Sequence, residues 1–538
     1  MSKEDIDFQI GGIEIYGDTT LPPSEVEVSS DEIQLRRLGK RPLLKRSFGF
    51  MSILGFSCSA LISWEGMMVT AGGALINGGP AGVIWGFLIN WIGMISTFAT
   101  LAELASMAPT TGGQYHWVAM MAPKSCDNFL SYLTGWLTTL AWQASSVMTA
   151  YLVSTIIQGM VVMSRSSYIP IPWHTVLLMW AISLFAVMIN SHTGRMLARF
   201  EGFILVLHLM GFFCILIPLV YFGPHGEPSD VFATFLNFGG WPSQSLSFLI
   251  GLPTSAAILL GADSSIHMSE EIQSAATVVP QALMWTVFIN GSLALAIGIA
   301  MMFCIGDLAA ALEAQSTIFY SYLEILRQAL KSKSAACVLS SIIVVMGMAS
   351  SVGLYASASR MLWSFSRDQA LPFHKHLFKL NKNSLPIIAI LTTLGTTMLL
   401  SLIVLGSTIA FSAMVVPTAA ALYSSYILVS ALLLWCRLTG RFSTSENFNT
   451  GSHGKPRLSW GPWRIPEPWG SINNFFACLY LSFIFFFFFW PAVTPTTPET
   501  ANFSILVFGS VVLFCIFWYA VKARHTFRGP VREVEELS

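Results

Sequence analysis

Two carboxylates stand inside apolar runs long enough to enter a lipid bilayer. Glu65 interrupts one run within Ile62-Ser63-Trp64-Glu65-Gly66-Met67, and Asp263 interrupts another within Leu260-Gly261-Ala262-Asp263-Ser264. Ionisable groups at bilayer depth are rare and usually functional, because exposing them to hydrocarbon costs several kcal/mol. Such a carboxylate can counter an ammonium group, or it can take up and release a proton where burial favours its neutral form. A plainer reading is that each only caps amides exposed at a helix break. Breaks are expected at both places, since a Gly and several hydroxyls weaken each run. A membrane helix interrupted at mid-depth offers free N–H groups from one half and free carbonyls from the other, enough to hold the two ends of a small solute. Ser63, Trp64, Glu65, Gly66, Gly261, Ala262 and Asp263 are therefore the first candidates for a binding site.

Other candidates surround them. Trp142 and Gln143 fall near mid-depth of the third apolar run when 1.5 Å is counted per residue, and a Trp face attracts an ammonium group although helix packing uses Trp just as readily. Tyr423, with Ser412, Pro417, Thr418 and Ser424, tints the tenth run polar. The fifth run holds Glu201 and His208; the histidine titrates near neutrality or is a satisfied structural group. Glu103, Glu270 and Glu271 lie near the ends of the second and sixth runs, as coupling or gating groups. For the last two, ion pairing with Arg199 or Arg360 competes with a solvated helix start. No nucleotide loop, no H-E-x-x-H and no dense His or Cys cluster occurs in a span, so no catalytic residue, metal or cofactor is expected. His374-x-His376 lacks further metal ligands.

The elements that must position these groups follow from composition. Of 538 residues, 54% are hydrophobic and 10% charged, against about 25% charged in soluble proteins; the chain is an all-α, multi-span membrane protein. Runs of roughly 20 apolar residues give about twelve transmembrane helices. With both termini placed in the cytoplasm, 24 Lys and Arg residues fall on that side, leaving Arg165, Arg327, Lys331 and Lys333 opposite; the positive-inside rule favours that orientation. Residues 1–47 read as a disordered cytoplasmic tail, acidic and then basic. Residues 48–436 form the core, 437–473 a cytoplasmic linker, 474–521 two last helices and 522–538 a cytoplasmic tail. Residues 306–334 form the longest outer loop, its helical stretch from Ile318 to Leu330 expected on the surface.

Two strings carry a resemblance: AELASMAPTTGGQYHW at 102–117 and SWEGMMVTAGGALINGGPAG at 63–82, with Ser269-Glu270-Glu271 after the sixth run. The chain resembles the amino acid-polyamine-organocation (APC) superfamily, and within it the fungal amino acid/choline/GABA permease group. That resemblance implies a LeuT-like fold of two inverted five-helix repeats, 48–222 and 246–436, plus two C-terminal helices. It also implies a site formed by spans one and six with three, eight and ten, and secondary transport by alternating access at the plasma membrane. Some proton-coupled relatives carry a mid-span Lys in the fifth span; its absence here leaves that coupling device in doubt. The expected partners are an amino acid, GABA, choline or similar amine, a coupling proton and membrane lipid, with no nucleic acid. A non-transporting nutrient sensor on the same fold is the alternative, and a membrane enzyme lacks any motif.

Overall fold

A computed structural model describes residues 29–533 apart from 166, 416, 443–457 and 499. Twelve helical segments are long and apolar enough to cross a membrane: Phe50–Ile76, Gly79–Met107, Asp127–Ser164, Pro172–Asn190, Gly194–Phe222, Gln244–Glu271, Ala275–Phe303, Lys333–Arg367, Ile387–Gly406, Thr408–Leu438, Trp469–Phe487 and Ser504–Thr526. They are numbered spans 1 to 12 in chain order. No strand occurs among the described residues. Because the count is even, the described segments before span 1 and after span 12 lie at one face, called the terminal face; the opposite one is the distal face.

Spans 1 and 6, five apart in order, are each unwound near the centre, beside Glu65 and Asp263 respectively. Span 1 divides into 1a (Phe50–Leu61) and 1b (Ser63–Ile76), hinged at Ile62, whose backbone is left-handed at φ 37°. A β-branched residue adopts that region only under strain that its surroundings impose, which is the mark of a functional break. Span 6 divides into 6a (Gln244–Ala257), an unwound stretch, and a tight 3₁₀ helix 6b (Ala262–Glu271). Gly261 at φ 123° makes the turn, a conformation that glycine alone reaches without strain. Around these centres span 1a packs on span 5, 1b on span 7, and span 3 on span 8.

The terminal face is more ordered than the composition of the N-terminal tail suggests. The expectation of disorder for residues 1–47 does not hold from Ser29 on. A helix, Ser30–Arg37, is capped by Ser29, and Asp31 accepts hydrogen bonds from the amides of Ser274 and Ala275, capping span 7. Leu35, Lys40 and Leu44 are buried. The loop 306–334 also departs from expectation. Its helix Ser321–Leu330 buries Tyr322, Leu323, Ile325 and Leu326 against spans 1b, 5 and 8, so it plugs the distal end of the bundle. Its apolar residues recur at helical spacing, which is what an amphipathic plug requires.

Candidate functional site

The two breaks face each other and answer part of each other's hydrogen bonding. The Ser63 amide, first in span 1b, donates to Asn290 Oδ1 of span 7 at 3.3 Å, and Ser63 Oγ donates to the freed carbonyl of Ile258 at 3.3 Å. Span 8 serves both breaks from its small-residue face: Ser350 Oγ donates to the Ala60 carbonyl and Ser357 Oγ to the Ser264 carbonyl at 3.2 Å. Hydroxyls thus take over where helical ladders stop, the arrangement that makes unwound backbone tolerable inside a bundle.

Glu65 lies fully inside the protein in the first turn of span 1b. Its Oε1 is 2.9 Å from His208 Nδ1 of span 5, and Trp64 Nε1 is 3.2 Å from the same nitrogen. One ring nitrogen cannot donate to Glu65 and accept from Trp64 at once. With Nδ1 protonated the His–Glu pair forms and the indole N–H is released; with Nδ1 bare, Trp64 donates to it. His208 is thereby a member of the site and not a remote structural histidine. Glu65 Oε2 and His208 Nε2 have no hydrogen-bond partner among the described residues.

Asp263 is held differently. Tyr426 of span 10 donates to its Oδ1 at 2.6 Å, and Gln114 Nε2, from the short helix Gln114–Met121, donates to its Oδ2 at 2.8 Å. Two donors on two oxygens suit an ionised carboxylate. They also tie the centre of span 6 to span 10 and to the segment that follows span 2. Trp142 stands edge-on to His267 of 6b with ring centroids 5.3 Å apart, and His267 Nδ1 donates to the Thr111 carbonyl at 3.0 Å.

Three candidates lie elsewhere. Gln143 turns from the breaks and donates to Thr393 Oγ1 of span 9 and the Ala358 carbonyl of span 8. Tyr423 contacts Met94 Sδ of span 2 and stacks obliquely on Phe488, just past the end of span 11, while Tyr426, three residues on, is the tyrosine that reaches the site. Glu103 pairs with Arg437 and accepts from the Ile465 amide, fastening the linker after span 10 to span 2. Tyr426, His208, His267 and Asn290 are the central residues that sequence reasoning left unassigned. Only the polar tint of span 10 and a histidine within span 5 signalled any of them.

Glu270 and Glu271 form a lock at the terminal face. Glu271 pairs with Arg360 of span 8 at 2.8 Å, and Glu270 with Arg367 at 2.9 Å. Arg360 also reaches Asn190, and Arg367 also holds Glu533 near the C-terminus. Arg199 takes no part; it is exposed. The Glu271 carbonyl accepts from the amides of Ser47 and Phe48, and Asp368 receives Lys40, Tyr115 Oη and the Val531 amide. Burial alone pushes the Asp368 carboxyl up, but the Lys40 ammonium, with the Tyr115 hydroxyl and Arg367, outweighs it and holds the group below its ordinary value. Nearby His116 is pushed down to about 3 by burial and by Lys40. The N-terminal segment from Ser29 and the C-terminal segment up to Glu533 are thus sewn across spans 6 and 8, and this face is closed. Among the described residues no group of three His, Cys, Asp or Glu side chains is disposed to hold a metal ion.

The chain is similar to known proteins over most of its length. Residues 48–511 match the family model described as amino acid permease. The chain is 30% identical to an uncharacterized amino-acid permease of Schizosaccharomyces pombe, over 94% of this chain and 91% of that protein. It is similar to a choline transporter of Saccharomyces cerevisiae, 29% identical over 90% and 83%. It is also similar to amino-acid permease 2 of Neurospora crassa, 27% identical over 95% and 91%.

Proposed function

We propose, proceeding from the fact that this chain belongs to the amino acid permease family, that it is a proton-coupled secondary carrier for a small amine-bearing solute: an amino acid, GABA or choline. The observation that carries this reading is a set of buried polar atoms, lacking partners among the described residues, on groups flanking both breaks: Glu65 Oε2, Asn290 Nδ2, Ser264 Oγ, Trp142 Nε1 and His267 Nε2. Native proteins leave few buried polar atoms unpaired, and each such atom calls for a partner. One acidic oxygen among neutral donors suits a solute with a cationic end. The ammonium would meet Glu65 Oε2, and a carboxylate, where the solute has one, would meet the donors. Choline would rely on Glu65 and the faces of Trp64 and Trp142.

Transport then follows from alternating access. The solute enters from the distal side, the lock of Glu270–Arg367 and Glu271–Arg360 parts, and spans 1a and 6b move to open the terminal face. Asp263 links the two events, since its carboxylate bridges the site to Gln114 and thus to the segment that Glu270 grips through the Thr111 amide. The excess of Lys and Arg on the terminal side supports a cytoplasmic placement of both termini. The family likeness supports the plasma membrane.

Uptake of labelled choline, GABA and individual amino acids by a transport-deficient host, measured from pH 5 to pH 8, tests the reading. One of these solutes is expected to accumulate, faster at acid pH. Saturable binding without flux in proteoliposomes marks a sensor instead, and neither binding nor uptake of any of them overturns the substrate class.

A further inference from the structure

Span 5 presents two titratable groups on one face, seven residues and so about 10 Å apart, and they straddle the break of span 1. His208 meets Glu65 on 1b. Glu201, two turns nearer the terminal face, meets 1a. The contact at Glu201 is unusually close: a Cβ added to Gly55 of 1a would lie 2.2 Å from the Glu201 carbonyl oxygen, so the two backbones touch there and only glycine fits. The Glu201 side chain is fully buried, with Oε2 2.7 Å from Ser59 Oγ of 1a. Its Oε1 has no hydrogen-bond partner among the described residues and lies 3.8 Å from the Cβ position of Gly353 on span 8.

Counting protons decides the state of this carboxyl. Ser59 Oγ is also 3.1 Å from the Phe56 carbonyl. A hydroxyl has one hydrogen, which cannot serve both acceptors. If Glu201 were ionised, a buried charge would share half of one hydrogen bond, an arrangement that costs several kcal/mol. If Glu201 carries a proton, it donates to Ser59 Oγ, Ser59 donates to Phe56, and every hydrogen has an acceptor.

The surroundings supply no counter-charge. Span 1a presents only Cys58 as a titratable group, engaged toward Thr286. Span 8 presents Tyr355 and Arg360, and Arg360 is engaged by Glu271 and Asn190. Span 7 offers none. The distal plug carries Glu324 and Arg327, which pair with each other, and span 4 carries His174, which contacts Tyr168. On span 5 itself, His208 is engaged by Glu65 and Arg199 is exposed. Glu65 and Asp263 are better supplied than Glu201, the first facing an imidazole and the second accepting a full hydrogen bond on each oxygen.

We propose that Glu201 is the proton-binding residue of the carrier: it holds the coupling proton while 1a is seated on span 5 and yields it to water at the terminal face when 1a moves away. Departure of 1a removes the Ser59 acceptor and wets the carboxyl in one step. The acid then transfers its proton to a water molecule and remains as a solvated carboxylate. After release 1a returns over the ionised carboxyl, which takes its next proton from water on the distal side, so that each cycle carries one proton to the terminal face and none back. This inference rests on the proton-coupled reading above and deepens it, assigning the proton to Glu201 and leaving Glu65 to the solute.

The test is a comparison of the native protein, Glu201→Gln and Glu201→Asp in proteoliposomes, with labelled choline, GABA and glycine as probes and a luminal pH indicator. For one proton per solute, a gradient of one pH unit sustains an accumulation of about tenfold. The native protein is expected to reach that accumulation. Glu201→Gln keeps the same hydrogen-bonding shape, and it is expected to fall to the level without a gradient and to move no protons. Solute exchange at equal pH should persist at a tenth of the native rate or more, which shows a folded carrier. Glu201→Asp should recover part of the driven accumulation, as a merely structural amide would not. Gradient-driven accumulation by Glu201→Gln at the native level overturns the inference and leaves the carrier reading standing. Exchange without any proton-driven accumulation in the native protein overturns the coupling reading and this assignment together.

Discussion

The centre of the molecule and its terminal face are built from the same residue types and satisfied to different degrees. At the terminal face nearly every buried charge has a charged partner: Arg360 with Glu271, Arg367 with Glu270 and Glu533, Lys40 with Asp368. At the centre, buried polar atoms of Glu65, His208, Trp142, His267 and Asn290 are left without partners among the described residues. A network in which buried charges face opposite charges holds one arrangement, although Arg360 keeps one guanidinium nitrogen without a partner among the described residues. A buried carboxylate oxygen and ring nitrogens without partners instead await something that the chain does not itself provide. The first behaves as a lock and the second as a receptor. Breaking a partnership should therefore open the terminal face, and removing an unpartnered group at the centre should abolish recognition.

The largest effect is expected at Glu65. Glu65→Gln keeps the volume and the contact with His208 but removes the charge that would meet an ammonium. Truncating one partner of a desolvated charged pair typically costs about 2–5 kcal/mol, so solute affinity should drop by about 30-fold or more. Equilibrium binding to purified protein reads this directly. Affinity within threefold of native would move the cationic end of the solute away from Glu65.

This contrast was only partly legible beforehand. The spans, their number and the two interruptions follow from apolar run length and from glycines and hydroxyls at Ile62–Met67 and Leu260–Ser264, because the bilayer penalises unpaired backbone so heavily. Glu271 pairing with Arg360 was one of two partners open to it. What could not be read was which side chains converge, since that depends on helix rotation and tilt. Gln143 is adjacent to Trp142 and so turns about 100° away from it, toward span 9. Tyr423 and Tyr426 differ by three residues, and only tertiary packing selects the second. The order of residues 29–48 was hidden for a related reason. A polar, charged segment looks disordered until the buried partners that neutralise it, Asp368, Glu271 and the start of span 7, are placed beside it.

An intermediate effect is expected at the lock. Arg360→Gln removes the cation from between Glu271 and Asn190 and leaves a buried carboxylate uncompensated, a change that typically costs about 3–5 kcal/mol. A carrier that closes its terminal face less firmly leaks accumulated solute. Efflux from preloaded vesicles should rise by roughly tenfold, with solute affinity changed little. Adding Glu271→Gln should recover part of the loss, because the orphaned charge is gone. Unchanged efflux would mean that the pair merely packs and that closure rests on the chain ends.

The smallest effect concerns those ends and the acid limit of the lock. Burial by itself pushes the carboxyls of Asp368 and Glu533 up, but Lys40 and Tyr115 at the first, and Arg367 at the second, outweigh it and hold both below their ordinary values of 3.8 and 4.5. A folded-state value below the unfolded one adds stability that is fully present above the unfolded value and disappears as pH falls through the folded one. The melting temperature of the purified protein should accordingly be flat with respect to these groups from pH 7 to about 5, and fall below about pH 4.5 as they take up protons. Glu533→Gln should lower the plateau by about 1 °C, the shift expected for about 1 kcal/mol in a chain of this size, and should make the acid-side fall shallower. If the variant melts like the native protein at every pH, the C-terminal strap adds nothing to closure, and the lock reduces to the two arginines of span 8 with their partners on span 6.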